Sequence, residues 1–270
     1  MSVYVRELAR WLGNQGHTVD IFTYVHATER QTDLYPNVRL ICLNQKDRSA
    51  VDKAHLPAHI ESIYNTLEKH CLKNHKAYDL IHSHYWISAV VGAMAQAQWH
   101  CPHVVMFHTL GAAKNRHSAG ENEPVRRIAH ERWLAKVADG IVVPSEEERI
   151  NLLCHYHPHP ETIHTLPCGV NLERFRPLDR SAARQAIGMG TNTQMALYVG
   201  RIAPVKGIER LIGAMARLKE SIPDLHLVVV GGDGPDAQST LELKRHVLQH
   251  QLASRVTFAG RVEQKDLPLY

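Results

Sequence analysis

The sequence predicts an α/β protein made of two halves with parallel sheets. Short apolar runs of strand length alternate with longer stretches of helical periodicity, which is typical of helices packed on parallel sheets. The alternation breaks at a connector that contains glycine and proline, residues 168–184, and a second strand and helix series follows it. We therefore expect two Rossmann-like domains, residues 1–175 and residues 176–270.

The first half opens on a helical pattern. The stretch "VYVRELARWLGNQGH" places Val5, Leu8, Ala9 and Leu12 on one face and ends at a glycine. A βα half normally opens with a strand, so we expect the first strand to be missing. Six strand-like runs follow, at residues 18–24, 38–43, 79–84, 103–109, 140–145 and 162–167.

The second half contains three clear strand-like runs, at residues 195–200, 225–232 and 255–260. The last segment, "EQKDLPLY", begins a further element and runs to Tyr270. We therefore expect the second sheet to be incomplete and the chain to be truncated at both ends.

Composition limits the class of protein. At 270 residues and 44% hydrophobic content the chain can bury a sizeable core. Its 31 basic and 27 acidic residues are spread without a basic run, which argues against nucleic acid as a partner. Five cysteines without a C-x-x-C pair predict neither a disulfide framework nor a zinc ribbon, so a reduced cytoplasm fits best. No apolar run approaches the roughly 18 residues of a spanning helix, while peripheral contact with a membrane stays open.

The stretch "YVGRIAPVKGIERLI" predicts a strand that runs into a basic turn and then a helix. Arg201 and Lys206 lie in this turn, with Gly200 before them and Gly207 after them. Free N–H groups at a helix start and nearby cations both favour an anion such as phosphate. From the residues alone, a basic surface turn without a ligand is an equal alternative.

The turn resembles the G-R-x-x-x-x-K-G motif of the retaining family 4 glycosyltransferases, the group that includes sucrose-phosphate synthase and D-inositol-3-phosphate glycosyltransferase. The resemblance covers essentially the whole chain. It implies the GT-B fold, two facing Rossmann-like domains with the active site in the cleft between them. It also implies transfer of a sugar from a nucleotide sugar, a UDP-sugar, to a hydroxyl acceptor with retention. The other matching stretches are "MSVYVRELARWLGNQGHTVDIFT", "DLIHSHYW", "FHTLGAAKN", "PVRRIAHE", "IVVPSEEE", "LPCGVNLERFRP" and "VVVGGDGP".

On the donor side, the resemblance assigns the diphosphate to Arg201 and Lys206, next to Gly200. Both cations would also be catalytic, because negative charge develops on the departing diphosphate. The loop of "VVVGGDGP", with Gly232, lies beside the nucleotide in the family, and the loop of "GRVEQ" places Arg261 and Val262 near the base. The alternative for both loops is ordinary turn chemistry. The resemblance implies no metal and no cofactor.

On the acceptor side, the resemblance places His108 of "FHTLGAAKN" near the transferred sugar, as a catalytic residue, and Thr109 near the acceptor. It assigns an acceptor phosphate to Tyr85 and Arg126, which favours a phosphorylated polyol or sugar as the acceptor. Each assignment has its own alternative at this stage. For His108 the alternative is a histidine whose ring is hydrogen-bonded to neighbouring backbone. For Arg126 the alternative is that it forms a solvated helix face together with Arg127.

The remaining histidines are interpreted as structural. His82 and His84 share one face of a strand, but no third metal ligand is evident. The histidines of "CHYHPHPETIH" fall in a stretch that is a variable loop in the family, which favours a spacer over a metal site.

Two family features are missing from the sequence: a Gly-Gly loop before the first helix and an E-x7-E pair in the second half. The spacing from Glu123 to Glu131 matches the pair in the wrong half, and we interpret it as coincidence. We therefore expect little or no transferase activity from the isolated chain. The alternative functions are a non-catalytic fragment that binds a nucleotide diphosphate, and a sugar-nucleotide epimerase with the GT-B architecture.

Overall fold

A computed structural model of the 270-residue chain describes residues 2–24, 31–43, 55–117, 123–203, 206–232, 234 and 237–270. The chain divides into two compact units, residues 1–169 and residues 170–270. The sequence places the boundary a few residues later, inside the connector. Among the described residues, no helix combines the length and the apolar character that crossing a bilayer requires.

The first unit contains two sheets. One has the strand order β1-β3-β2, and the other has the order β4-β5-β6-β7 with all of its strands parallel. The elements are α1 Val3–Asn14, β1 Val19–Thr23, β2 Gln31–Tyr35, β3 Val38–Cys42, α2 Ile60–Lys73, β4 Ile81–His84, α3 Trp86–Trp99, β5 His103–Met106, α4 Gly111–His117, α5 Val125–Val137, β6 Gly140–Val143, α6 Glu146–Tyr156 and β7 Ile163–Thr165.

Strand β2 is absent from the predicted strands, and it pairs with β3 in the antiparallel sense. Its sequence, "QTDLY", lacks an apolar run of the kind that marks β6 and β9. The two strands are joined at Pro36 and Asn37, and Asn37 has a φ of 61°, a left-handed conformation that asparagine tolerates in tight turns. This hairpin thus adds one antiparallel pairing to the predicted parallel sheets.

Helix α1 packs close to that hairpin through a glycine. A Cβ atom on Gly13 would lie 2.6 Å from both the Pro36 carbonyl oxygen and a methyl group of Val38. At the other end, the Ser2 hydroxyl accepts a hydrogen bond from the Val5 N–H at 3.3 Å and caps the helix. The predicted inward face of α1 includes Ala9, which is buried.

The four-stranded sheet of the first unit lies in the middle of its core. Strand β6 is buried along its whole length, and Val105 and Met106 of β5 are buried as well. A sheet covered on both faces has its side chains fixed by packing, so function is found where the strands end. The carboxyl ends of β4 to β7 share one edge because the strands are parallel.

The second unit is a parallel three-stranded sheet with the order β10-β9-β8. The central strand carries the core, since Leu227 and Val229 are fully buried against Ile212 of α8 and Leu243 of α9. The predicted α/β class with parallel sheets is confirmed for this unit. The elements are α7 Arg180–Ala186, β8 Gln194–Val199, α8 Ile208–Leu218, β9 Leu225–Val230, α9 Gln238–Gln249 and β10 Val256–Gly260.

Candidate functional site

A histidine cluster lies at the carboxyl edge of the first unit's parallel sheet. His84 is the last residue of β4 and pairs in register with Met106, the last residue of β5, so His108 follows two residues after the neighbouring strand ends. The two side chains form a hydrogen bond between His84 Nδ1 and His108 Nε2 at 3.0 Å. The ring of His82 lies 4.3 Å from that of His84, and Tyr4 of α1 packs edge-on against both His84 and His108.

Burial keeps this cluster uncharged. It lowers the pKa of His82 to about 4 and that of His84 to about 3, and repulsion between the imidazoles adds to both shifts. Burial also lowers the pKa of His108. The three rings are therefore neutral at pH 7. Among the described residues, no group of three or more His, Cys, Asp or Glu side chains is arranged to hold a metal ion.

Two residues of this edge have left-handed backbone conformations. Tyr85 has a φ of 75° and His108 a φ of 62°. Such a conformation costs about 1–3 kcal/mol for a residue with a side chain, so the surrounding contacts must hold it in place. One of these contacts is the hydrogen bond from the Tyr85 N–H to the Met106 carbonyl oxygen, 2.9 Å long.

Arg127 of α5 is the centre of a buried network beside the histidines. Its side chain is 2% exposed and forms ion pairs with Glu131 at 2.7 Å and with Glu123 at 2.9 Å. Its Nη2 atom donates to the carbonyl oxygen of Thr109 at 2.7 Å and to its hydroxyl at 3.0 Å. Its Nη1 atom donates to the Tyr85 hydroxyl at 3.3 Å, and the guanidinium lies over the tyrosine ring.

Glu131 extends this network to the start of α4. It is fully buried, and its Oε2 atom accepts hydrogen bonds from the Gly111 N–H at 2.9 Å and from the Tyr156 hydroxyl. The Tyr156 oxygen in turn accepts from the Ala112 N–H at 2.9 Å. Burial and the hydrogen bond to Glu131 raise the pKa of Tyr156, so it stays protonated. The loop that carries His108 and Thr109 is thus fixed on both sides.

The acceptor-side assignment of Arg126 stays a prediction, and the structure adds Arg127 to this group. The sequence groups Tyr85 and Thr109 with Arg126, whereas the structure joins them through Arg127. Arg126 lies on the exposed face of α5, about 100° around the helix. The alternative that both arginines form a solvated face is wrong for Arg127.

Glu123 and Glu131, whose spacing we interpret as a coincidental match to the family's E-x7-E pair, have a structural role in the first unit. Each carboxylate lies four residues from Arg127, one on either side, and both form ion pairs with it. The spacing E-x-x-x-R-x-x-x-E in the sequence could have predicted these ion pairs, since side chains four residues apart meet on a helix.

Glycines bring the three strand ends of the second unit together. The Gly200 N–H donates to the Val230 carbonyl oxygen at 3.0 Å, and the Gly231 N–H donates to the Gly260 carbonyl oxygen at 2.7 Å. Gly231 has a φ of 123°, and a Cβ atom there would lie 1.9 Å from the Gly200 carbonyl oxygen. Gly232 follows with a φ of 100°. Only glycine allows this approach of the backbone segments.

The candidate phosphate ligands lie on the connection from β8 to α8. Arg201 and Lys206 are exposed, and neither forms an ion pair with a described residue. The Tyr198 hydroxyl donates to the Arg201 carbonyl oxygen at 2.7 Å and holds the first part of the loop. Gly207 opens α8 with a φ of 68° and provides no side-chain cap. Residues 204–205, with Pro204, lie outside the described residues.

The other donor-side candidates lie at the same edge. Arg261 is exposed and Val262 half-buried, and both directly follow β10 at Gly260. Gly232 follows β9 in the same way. The structure thus brings the ends of the predicted donor loops together within the second unit.

Comparison with known proteins identifies the family of the chain. Residues 1–174 match the model of Glycosyltransferase Family 4, and residues 179–270 match that of Glycosyl transferases group 1. D-inositol 3-phosphate glycosyltransferase 2 of Catenulispora acidiphila is 33% identical over 99% of this chain and 65% of its own length. The D-inositol 3-phosphate glycosyltransferase of Kribbella flavida is 34% identical over 95% of this chain and 61% of its own length. The chain thus spans less than two thirds of these relatives.

Solved structures show the same architecture. Sucrose-phosphate synthase of Thermosynechococcus elongatus has a TM-score of 0.87 at 28% identity, over 99% of this chain and 66% of that one. HepE of Anabaena in complex with UDP and glucose has a TM-score of 0.69 at 18% identity, over 99% of this chain and 66% of that one, a likeness of fold. Both units have the α/β architecture of the GT-B glycosyltransferases. The chain belongs to glycosyltransferase family 4.

Proposed function

We propose that the chain is part of an enzyme that transfers a sugar from a UDP-sugar to a hydroxyl acceptor with retention at the anomeric carbon. The observation that carries the proposal is the donor edge of the second unit. There, glycines allow the strand ends to approach one another closely, and two exposed cations are left without acidic partners among the described residues. The structures of HepE, similar in fold, hold UDP, UDP with glucose, and UDP-glucose.

The chemistry follows from where charge develops. The bond from the anomeric carbon to the diphosphate oxygen breaks, and the bond from that carbon to the acceptor oxygen forms on the same face. The acceptor proton passes to a diphosphate oxygen. Arg201 would hold the diphosphate as a fork and Lys206 as a point charge, so both stabilise the leaving group most in the transition state. His108 would donate a hydrogen bond to the sugar.

The acceptor we propose is a phosphorylated polyol or sugar. Arg127 already binds two carboxylates, so its charge is neutralised within the fold. Its role here is to hold the Tyr85 and Thr109 hydroxyls in place. Exposed Arg126 forms no ion pair with a described acid and remains the candidate for the phosphate. The names of the relatives, which specify D-inositol 3-phosphate, support a phosphorylated acceptor.

Calorimetry with UDP tests the donor assignment. Hydrogen bonds to charged groups contribute about 1.5–3 kcal/mol each, so Lys206→Ala and Arg201→Ala should each weaken UDP binding by about tenfold or more. Arg217→Ala is the matched control, since Arg217 is exposed in the last turn of α8, at the end of the helix away from Arg201 and Lys206. Unchanged UDP affinity in Lys206→Ala would refute the assignment.

A transfer assay tests the acceptor. With a UDP-sugar donor, D-inositol 3-phosphate should be used in preference to inositol, and Arg126→Ala should reduce that preference. Equal use of both acceptors would contradict the phosphate assignment. UDP binding without transfer would favour the nucleotide-binding alternative, and appearance of an epimerised UDP-sugar would favour the epimerase.

A further inference from the structure

Helix α5 carries apolar side chains on the side that faces solvent. Val125 is 83% exposed, Trp133 44% and Val137 39%. The opposite side of the helix holds Arg127 and Glu131, which are buried and form an ion pair. The largest apolar side chain of α5 is thus exposed, whereas a surface helix usually turns its apolar residues inward. Exposed apolar groups that lie together are typical of an interaction surface.

These apolar residues share one side of the helix with three cations. Each residue of an α-helix advances by about 100° around the axis, so the exposed charged and large apolar residues of α5 fall within about 140° of its circumference. In order around the helix they are Arg132, Val125, Lys136, Trp133, Arg126 and Val137, which together form the outer face of α5.

The outer face is positively charged. Both acids of residues 123–137 are turned away from it, since Glu123 and Glu131 form ion pairs with Arg127. The cations of the outer face are exposed and form no ion pair with a described residue: Arg126, Arg132 and Lys136. Three positive charges therefore lie on this face without an acid among them.

The neighbouring elements leave this charge in place. Helix α3, which packs against α5, contains no charged residue. Asp139 follows α5, but its carboxylate accepts hydrogen bonds from the Gln96 side chain at 2.7 Å and the His103 N–H at 2.8 Å. Helix α6 begins with three glutamates, at residues 146–148, beside the carboxyl edge of the sheet. Arg132 and Lys136 lie in the last two turns of α5, toward the opposite edge.

A lipid surface is the partner that this combination fits. Tryptophan is enriched at the headgroup level of membranes, and lysine and arginine reach toward the lipid phosphates with their charged ends. The outer face of this 13-residue helix is about 20 Å long and about 10 Å wide, roughly 200 Å². A stable protein interface needs about 800 Å² on each partner, so the face alone is too small for a second copy of the chain. Attraction of cations to anionic lipids requires no such area.

We propose that the outer face of α5 docks on an anionic membrane surface. Trp133 enters the headgroup level, with Val125 and Val137 beside it, and the cations bind lipid phosphates. The contact is peripheral and reversible. The Arg127 side chain points to the other side of the helix, so docking leaves its contacts with Tyr85 and Thr109 intact.

Co-sedimentation with vesicles tests the charge requirement. The chain should bind vesicles of phosphatidylglycerol and phosphatidylcholine but not of phosphatidylcholine alone, and salt should weaken the binding. Arg132→Ala combined with Lys136→Ala should weaken it roughly 25-fold, since each cation contributes about fivefold. The matched control is Arg217→Ala combined with Arg245→Ala, which removes the same charge from exposed positions of α8 and α9. Absence of binding, or an equal loss in the control, would overturn the proposal.

Two further variants test the apolar part of the face. Trp133→Ala should weaken vesicle binding by about fivefold, because the exposed part of the ring no longer leaves water. Val125→Glu places a negative charge among the cations and should weaken binding at least as much. An acid in the first turn favours a helix, so this variant should keep its fold, which circular dichroism checks. Binding by folded Val125→Glu as strong as by the parent chain would contradict the docking face.

Fluorescence quenching locates the contact. Brominated lipid added to the anionic vesicles quenches tryptophan that enters the bilayer surface. The quenching should disappear in Trp133→Phe and persist in Trp11→Phe, since Trp11 is also exposed but lies on α1. Quenching that persists in Trp133→Phe would refute the orientation.

Sedimentation equilibrium tests the other occupant of the face. A dimer that dissociates in Trp133→Ala, in a chain that binds no vesicles, would assign the face to a second copy and overturn the proposal. UDP affinity should be unchanged in Arg132→Ala combined with Lys136→Ala, since neither residue belongs to the donor edge. Failure of vesicle binding and failure of UDP binding are therefore observed separately.

Discussion

The two units differ in what forms their carboxyl edges. In the first unit the edge is built from side chains that bind one another, with Arg127 and Glu131 buried at its centre. In the second unit it is built from backbone, with Gly200, Gly231 and Gly260 in direct contact and the cations outside. One edge has its charges paired within the fold, and the other leaves them exposed.

This difference indicates that the charged side chains have different roles at the two edges. A buried ion pair must be complete, because a lone charge in a dry interior is costly, so the network in the first unit belongs to the stability of the fold. Exposed cations add little to stability and keep their charge for a ligand. Substitutions should therefore affect unfolding in the first unit and UDP binding in the second.

The largest effect should come from Glu131→Ala, which removes the fully buried one of the two carboxylates paired with Arg127 and leaves the Gly111 N–H and the Tyr156 hydroxyl without their acceptor. Breaking a buried ion pair costs about 3–5 kcal/mol. All four tryptophans lie at positions 11 to 133, so tryptophan fluorescence during urea unfolding reports on the first unit alone.

The control for this measurement is Glu146→Ala, since the ion pair of Glu146 with Arg149 is exposed and should contribute at most about 1 kcal/mol. If Glu131→Ala were no more destabilising than the control, the buried network would not be the structural centre of its edge.

A smaller but clear effect is expected from Gly231→Ala. The φ of 123° costs about 1–3 kcal/mol with any side chain, and the new Cβ would clash with the Gly200 carbonyl oxygen. Gly213→Ala is the control, because Gly213 lies in α8 and its Cβ would meet no atom within 4 Å. Proteolysis in urea, with cleavage in residues 194–260 followed by mass spectrometry, measures both. Equal resistance of the two variants would show that the glycine contact is dispensable.

Acid should weaken the first unit through its buried histidines. Burial lowers the pKa of His103, which is 0% exposed, to about 4. The unfolded chain binds a proton on each histidine as the pH falls through about 6.5, and the folded chain does so only near pH 4. The free energy of unfolding should therefore fall between these values, by up to about 1.4 kcal/mol per pH unit for each such histidine.

The measurement is tryptophan-monitored urea unfolding at pH 7.5 and pH 5.5. His103→Gln should flatten the dependence, because the glutamine does not titrate and can still reach the Ser83 hydroxyl that His103 contacts at 2.9 Å. A pH dependence as steep in His103→Gln as in the parent chain would contradict this account.

The smallest change in stability is expected from Arg201→Ala and Lys206→Ala. Surface substitutions away from special features are usually within about 0.5 kcal/mol. The proteolysis assay used for Gly231→Ala should thus show both variants to be as resistant as the parent chain, while calorimetry shows the loss of UDP affinity. A marked destabilisation would mean that the exposed cations also support the fold.

The sequence predicts well what depends on local pattern. Strand β9 is a continuous apolar run, and the basic turn after β8 is visible from Gly200, Arg201 and Lys206 alone. Strand β2 has no such pattern and depends on its pairing with β3.

Tertiary packing determines that Arg127, and not the adjacent Arg126, faces inward. Leu134, seven residues after Arg127, is fully buried on the same side of α5, and this spacing was the local hint. The contact from His84 to His108 depends on the register of two strands, which a single sequence does not contain.

The start of α4 has a consequence for how a ligand is received. The Gly111 and Ala112 N–H groups are bound by Glu131 and Tyr156, which belong to α5 and α6. Their hydrogen exchange should therefore require the cooperative opening of these helices, in contrast to the fast exchange of most loops. An acceptor that binds beside Thr109 would meet a surface that is already ordered, and little of its binding free energy would be lost to ordering the loop.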